Sequence, residues 1–541
     1  MAGKAYIGVD AGTGSIRAGV FDAAGDLLGA GRAPIAMWRE PGGIVEQSSD
    51  DIWQAACAAV REAVARSGLA PRDIGGIGFD AACSLVALDA AGAPVAVGPS
   101  DDPARNVIVW MDHRALAETN RVNATGHAVL RYVGGRISPE MQTPKLLWLK
   151  DRKPESFARA AHFFDLADFL TWRASGSLAR STCTLTCKWT YLAHEKRWAD
   201  DFFALLGLES LVANGHARIG AEIVEPGTAL AHGLTEAAAR EFGLAAGTPV
   251  AASLIDAHAG AVGTIGAAGL GGANESALSR LALIMGTSNC AMAVATEPRF
   301  VEGVWGPYFA ALVPGLWLAE GGQSAAGAAI DYFLALHPAF DKLKAEAGDS
   351  LFERMEASIV AQIGGLSGAA QLAEGIHILP DINGNRSPQA DPAVRGLWLG
   401  LDGETDAASL HRLYIAVLCG LSYGVADIID ALEARGYRLA SIAVSGGASR
   451  SPLVRQILAD ATGRRVLLPA TSEPVLLGAA MLGALAGGAH SSLSDAMAAM
   501  ARTSATVLPA GGAIAALHAR KRAVHRLLRE TERQARALMR A

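Results

Sequence analysis

Apolar positions in this chain fall into two rhythms, short dense runs closed by glycine turns and longer stretches with helical spacing. Tyr6, Ile7 and Val9 end at Asp10, Ile16 to Phe21 resumes after Ala11-Gly12-Thr13-Gly14-Ser15, and Asp22-Ala23-Ala24-Gly25-Asp26 turns the chain again, which predicts three consecutive strands. Ile52, Ala56, Ala59, Val60 and Val64 then recur at helical spacing behind the cap-type residues Ser48, Ser49 and Asp50. Ile74 to Asp89 predicts two strands parted by Asp80-Ala81-Ala82-Cys83-Ser84, and Val107 to Trp110 a further buried strand. Residues 115–247 read as mostly helical, and Pro249 to Ala252 runs into Ser253-Leu254-Ile255-Asp256-Ala257-His258-Ala259-Gly260. Strands are expected again at Leu281–Met285, Cys290–Val294, Trp317–Glu320 and Ile442–Val444, with an amphipathic helix over 408–434 and a helix over 454–462. The last thirty residues form a basic amphipathic helix, expected to dock through Leu517, Val524, Leu528 and Leu538 with its arginines in solvent. Strands alternating with helices make this an α/β chain.

The first turn is where chemistry enters. Gly12 and Gly14 remove the Cβ atoms that would keep a phosphate from backbone N–H groups, while Thr13 and Ser15 add hydroxyls. Asp10 beside such an anion is useful mainly with a Mg²⁺ between them. A strand follows this turn, whereas the dinucleotide and Walker glycine loops both open a helix. An ordinary hairpin whose glycines only serve turn geometry is the competing reading for one such loop. The second half repeats the pattern, with Gly286-Thr287-Ser288 between two strands, 274 residues after Gly12 and about half the chain away. That distance suggests a duplication in which two turns face each other and clamp one polyphosphate. Ser445-Gly446-Gly447-Ala448 differs, because there a glycine pair opens a helix and suits close approach by a nucleoside.

Composition narrows the functional classes. With 541 residues the chain can build two or more domains, and the Gly/Ala-rich stretch from 261 to 276 suits a hinge or close interdomain packing, so the boundary is placed at 265/266. A net charge of -6 argues against a nucleic-acid or membrane-surface partner. No stretch of about twenty residues is read as apolar enough to span a bilayer, and no targeting segment precedes the first strand. Six scattered cysteines predict reduced thiols and a cytoplasmic location, and Cys183 with Cys187 lacks the second pair a zinc site requires.

Several polar groups stand where open sheets place ligands, at strand ends: Asp80, Cys83 and Ser84, then Trp110-Met111-Asp112-His113-Arg114. Together with Asp10 to Arg17, Asp256 to Gly260, Gly286 to Ser288, Gly384-Asn385-Arg386-Ser387-Pro388 and Ser445 to Ala448, they occur in the order seen in FGGY carbohydrate kinases, which the chain resembles to about residue 485. The resemblance implies two ribonuclease-H-like domains of the actin and hexokinase superfamily, 1–265 and 266–541, with sugar and ATP in the cleft. It also implies roles. Asp256 is the general base, Asp10 and Asp256 hold Mg²⁺, and Gly12, Thr13, Gly14, Ser15, Arg17, Gly286, Thr287, Ser288, Gln323, Gly446, Gly447 and Ser449 bind the nucleotide. Asp80, Ala81, Cys83, Ser84, Asp112, His113, Lys188, Asp256 and Glu320 meet the sugar. The segment Gly78 to Val86 is similar to the stretch that marks D-ribulokinases, with Ala82 where threonine is usual. The implied reaction transfers the γ-phosphate to the terminal hydroxyl of a ketopentose, D-ribulose first. L-ribulose, xylulose or a pentitol are the alternatives, and a non-catalytic or chaperone-like ATPase of the same fold is the alternative from another class. Oligomeric state, including a homodimer, is left open.

Overall fold

The computed structural model describes residues 4–266 and 276–539, so residues 267–275 of the expected hinge and Arg540 of the basic helix lie outside the described residues. Strands β1 (Ala5–Ala11), β2 (Ser15–Phe21) and β3 (Leu27–Pro34) form an antiparallel meander, and helix α1 (Ser49–Ser67) follows with Ser48 as its N-cap. β4 (Ile74–Ala81) pairs parallel with β1, and the two-residue strand β5 (Leu254–Ile255) pairs parallel with β4. The sheet order is β5-β4-β1-β2-β3. Tyr6, Ile7 and Val9 are buried on both faces, as strands covered from two sides require. Between β4 and β5 lies the helical stretch read from the sequence, including α2 (Gln142–Arg152) and α3 (Thr182–Lys188). α4 (Asp256–Ile265) leaves directly from β5.

The second sheet repeats the first. β6 (Arg280–Met285) and β7 (Asn289–Ala295) form a hairpin, followed by β8 (Trp305–Phe309) and β9 (Trp317–Gln323). Helices α5 (Gly327–Ala335) and α6 (Ala407–Glu433) precede β10 (Ser441–Ser445), then come α7 (Pro452–Thr462) and β11 (Arg465–Pro469). Helix α8 (Pro474–Ala486), β12 (Thr503–Val507) and helix α9 (Gly512–Leu538) complete the chain. The order is β8-β9-β7-β6-β10-β11-β12. Its inner five strands, β9-β7-β6-β10-β11, carry the same sequence of antiparallel, antiparallel, parallel and parallel pairings as β3-β2-β1-β4-β5. The two glycine turns therefore occupy equivalent places, each between the first and second strands of its own sheet.

The halves meet along a seam of backbone. On α8, the carbonyls of Leu476, Ala479 and Gly483 form one helical stripe against the first sheet, and a Cβ added at Gly8, Gly78 or Gly76 would fall well inside 3.0 Å of them. On the side toward α4, Gly478 abuts Ala259 and Gly263 abuts the carbonyl of Pro474 in the same way. Glycines here are required by close approach, and none of these five has a positive φ.

Three sequence expectations change. α6 is buried on nearly all sides and not merely on one face, because α5, α7 and α9 pack around it. An 18-residue window within it reaches a mean hydropathy of 1.7, so a stretch of spanning length and apolarity does exist, but 89% of that window is buried inside the protein, as in a core helix. The arginines of α9 are not simply solvated. Arg522, Arg526 and Arg529 pair with Asp427, and Lys521 is buried, donating to the carbonyl oxygens of Ala373, Glu374 and Ile376. Leu517 and Leu528 dock as expected, whereas Leu538 is exposed.

Candidate active site

Strand register gathers three carboxylates. Asp10 on β1 faces Asp80 on β4 as a Cα partner, so the two side chains leave the same side of the sheet, and Asp256 follows β5, whose Ile255 partners Ala81. Asp80 is fully buried, and neither of its carboxylate oxygens has a hydrogen-bond partner. Burial first, then the charges of Asp10 and Asp256, push its pKa well above the usual carboxylate range. Asp10 is held at one oxygen by Arg17, which donates from Nη2 at 2.5 Å and Nε at 3.0 Å, while Oδ1 is buried without a partner. Arg17 also reaches Glu473, just before α8, at 2.6 Å and so ties the cluster to the seam. Asp256 is the first residue of α4. Its Oδ1 accepts from the Ala257 N–H at 2.6 Å, and burial with the Asp10 charge raises its pKa to about 6. Three carboxylates with three orphaned buried oxygens and a single arginine are a donor set suited to a hard divalent cation.

The first glycine turn borders this cluster. Gly12 and Gly14 do not have positive φ, and a Cβ at Gly14 would meet nothing within 4 Å, so turn geometry does not explain that glycine. Open space beside it does suit an approaching ligand. The turn is clamped from behind, with Trp110 Nε1–H donating to Thr13 Oγ1 at 2.9 Å and Gln47 Nε2–H to the Thr13 carbonyl at 2.7 Å. In the second turn the Gly286 and Thr287 carbonyls accept from Gly327, Ala326 and Ala328 at the start of α5, leaving Gly286 and Thr287 exposed. Nearby, Gly446 has φ 90° and its Cβ would fall inside 3.0 Å of the β6 backbone, so glycine is obligatory there. Gly447 opens only a short 3₁₀ turn, and half-buried Ser449 donates its hydroxyl to the Gly446 carbonyl. Beside it lies a mainly apolar cavity lined by Met285, Gly327, Ile330, Leu421, Val425 and Ala448. Gln323 lies at the end of β9 and not on that lining. Both ends of its amide are engaged, Oε1 by Asn289 and Nε2 with the Leu421 carbonyl.

A cluster of buried polar side chains lies within electrostatic reach of Asp256. Lys188, at the end of α3, stands 4.8 Å above the Trp305 ring, and its pKa is raised by the charges around it, Glu320 and Glu140 among them, against the effect of burial. Glu320, on β9, is held down at about 2 by Lys188, His258 and Arg386, although burial alone would raise it. Arg386 stacks over the same Trp305 at 5.5 Å and meets Glu140 of the first half of the chain at 3.3 Å. Cys83 is buried and pushed up to about 12, and Ser84 Oγ accepts the Trp110 N–H. Asp112 does not present a free carboxylate. Both oxygens accept from Arg114, with Val45 N–H on Oδ2, and His113 is exposed next to Gly43. The sequence offered no sign of Tyr308, whose buried hydroxyl has no partner, or of Gln142, whose Oε1 is likewise orphaned. Such atoms become visible only once burial is known.

A glycine turn in each of two equivalent sheets, a carboxylate cluster at the strand ends of the first and a buried polar cluster alongside fit a two-domain phosphotransferase of the actin and hexokinase-like fold acting on an alcohol. Family profiles fix it further. The N-terminal domain of the FGGY family of carbohydrate kinases matches residues 5–263 and its C-terminal domain residues 281–487. The FGGY carbohydrate kinase domain-containing protein of Homo sapiens is 46% identical over 512 residues, covering 93% of this chain and 92% of its own length. A D-ribulokinase of Saccharomyces cerevisiae is 37% identical over 513 residues, 89% of this chain and 72% of its own. Among solved structures, a xylulose kinase from Rhodospirillum rubrum superposes with a TM-score of 0.79 at 23% identity, over 98% of this chain and 99% of that one, a likeness of fold. The chain belongs to the FGGY family of carbohydrate kinases and is a sugar kinase.

Proposed function

We propose that the protein phosphorylates a pentulose at its terminal hydroxyl, with ATP as donor, and that D-ribulose is the preferred acceptor. The observation that carries the reading is the setting of Asp256, a carboxylate within electrostatic reach of Asp10 in the strand-end cluster and of Lys188 in the buried cluster with Glu320 and Tyr308. A pKa near 6 leaves Asp256 ionised at neutral pH yet basic enough to take the proton of an attacking hydroxyl. Gly12 to Ser15 and Gly286 to Ser288 cradle the phosphates, Gly446 and Gly447 border the nucleoside cavity, and the domains divide at 265/266. Asp10 and Asp256, with Asp80 between them, would hold Mg²⁺, which neutralises phosphate charge. Lys188 and Glu320 supply one strong donor and one strong acceptor to a polyol, and orphaned Tyr308 and Gln142 atoms add neutral ones. D-ribulose is preferred over other pentuloses because the yeast relative is named a D-ribulokinase and because Gly78 to Val86 is similar to the marker of that group. A coupled ADP-release assay over pentuloses and pentitols tests this. The highest kcat/KM is expected for D-ribulose, and a preference for xylulose or a pentitol would overturn the substrate assignment.

A further inference from the structure

Cys183 and Cys187 lack a second pair in sequence, but the fold brings them two donors from distant stretches. Cys187 stands on α3, His258 on the first turn of α4 and Glu320 on β9, with one ligand atom of each within 4.8 Å of the other two, all three buried. The Nδ1 atom of His258 is taken by Cys183 Sγ at 2.9 Å, so Nε2, 3.3 Å from Glu320 Oε2, is the nitrogen that faces the group. Cys183 is fixed in turn by the Ile255 N–H at 3.4 Å. Among the described residues no other three histidine, cysteine or acidic side chains bring one ligand atom each within 4.8 Å of one another, the carboxylates of Asp10, Asp80 and Asp256 being spaced more widely.

Sulfur, imidazole nitrogen and carboxylate oxygen form a borderline-soft donor set that suits Zn²⁺ and its analogues, whereas Mg²⁺ takes oxygen ligands. Three protein donors leave a fourth position for water. Cys183 then does for His258 what an outer partner does in metal sites generally, fixing the ring through its second nitrogen. The phosphoryl-transfer reading gives Cys183, Cys187 and His258 no task. We infer that Cys187, His258 and Glu320, anchored by Cys183, bind one Zn²⁺-class cation, and that loading it switches the kinase off by withdrawing Glu320 from Lys188 and the sugar pocket. The binding site stands on geometry alone, while the off-switch rests on the sugar-pocket reading above. Lys188 and Arg386, the cations facing Glu320, oppose the metal, so affinity falls below that of an all-cysteine site.

Full-length protein stripped with a chelator and titrated with Co²⁺ tests the site. One equivalent per chain is expected, with a thiolate-to-cobalt charge-transfer absorption that Zn²⁺ bleaches. Cys187→Ser should abolish that absorption, and Cys183→Ser should keep it while weakening affinity by about 10- to 100-fold. Thermal melting of metal-free Cys187→Ser controls for folding, and His258→Gln serves if that variant fails to fold. No charge-transfer absorption in the unaltered chain, or one that persists in Cys187→Ser and His258→Gln, overturns the site. In parallel, one equivalent of Zn²⁺ should abolish sugar phosphorylation under saturating Mg-ATP and leave Cys187→Ser active. Zn²⁺ that binds without changing turnover overturns the off-switch, and a protein that phosphorylates no sugar fails the kinase reading while the cobalt result still decides the site.

Discussion

Replacing Asp256 by Asn separates chemistry from stability in one variant. The Asn Oδ1 keeps the bond from the Ala257 N–H, so the start of α4 is preserved, but the group can no longer accept a proton. Loss of the general base proposed above should lower turnover by about 10²- to 10⁴-fold. Stability should move the other way. The Asp256 pKa is raised from 3.8 to about 6 in the folded chain, so the fold disfavours the ionised form, which is a cost absent below pH 3.8 and fully present above about 6. A shift of about two units corresponds to ~3 kcal/mol at neutral pH, which a neutral Asn removes. For a domain of this size that is a rise in Tm of about 5 °C. The melt is run in EDTA, since a bound cation would lower the same pKa. ADP release with the preferred sugar and melting at pH 7.5 give both readouts. In the unaltered enzyme, turnover should climb as pH rises through about 6. A variant within tenfold of normal turnover, or one that melts lower, would refute the reasoning.

Other outcomes follow from single contacts. Trp110→Phe removes the donor to Thr13 Oγ1, worth about 1 kcal/mol, and should raise KM for ATP about fivefold with kcat kept; a fall in kcat alone in initial-rate measurements counts against the clamp. Gly14→Ala has open space and should melt normally while binding ATP more weakly, whereas Gly78→Ala drives a Cβ into the Ala479 carbonyl and should lower Tm sharply; calorimetry and nucleotide titration distinguish them. Lys188→Met leaves Glu320 as a buried charge short of its main counter-ion and should raise KM for sugar at least tenfold while ATP affinity holds, measured by varying each substrate in turn.

What could be read from the sequence was local. The strand-turn-strand at Gly12 and its echo at Gly286 are carried by contiguous residues, so their hydrophobic rhythm was enough, and both appear as hairpins. The carboxylate cluster depends on the register of three strands that start near residues 5, 74 and 254, and no local pattern encodes it. Asp112 illustrates the opposite error. It follows an apolar strand, where ligand groups are common, but the buried Arg114 two residues on requires a counter-charge and claims it. α6 read as one-faced because small residues such as Ala416, Gly420 and Ala426 look neutral in a periodicity, yet their size is what admits neighbouring elements on the remaining sides. The pairing of Cys187 with His258 and Glu320 likewise crosses more than 130 residues and arises only from tertiary contact.

The glycine seam sets a limit on how this gene can change length. Where two backbones touch, no side chain is available to rearrange, so the fit depends on the rotational phase of α8. One inserted residue turns the following part of the helix by about 100°, which moves the stripe of Leu476, Ala479 and Gly483 off the sheet and turns bulkier neighbours onto Gly8, Gly76 and Gly78. Single-residue insertions and deletions between Leu476 and Gly483 should therefore prevent folding, while the exposed loop at residues 99–104 accepts them. In that helix a gain or loss of one whole codon, which leaves the reading frame intact, still breaks the structural phase.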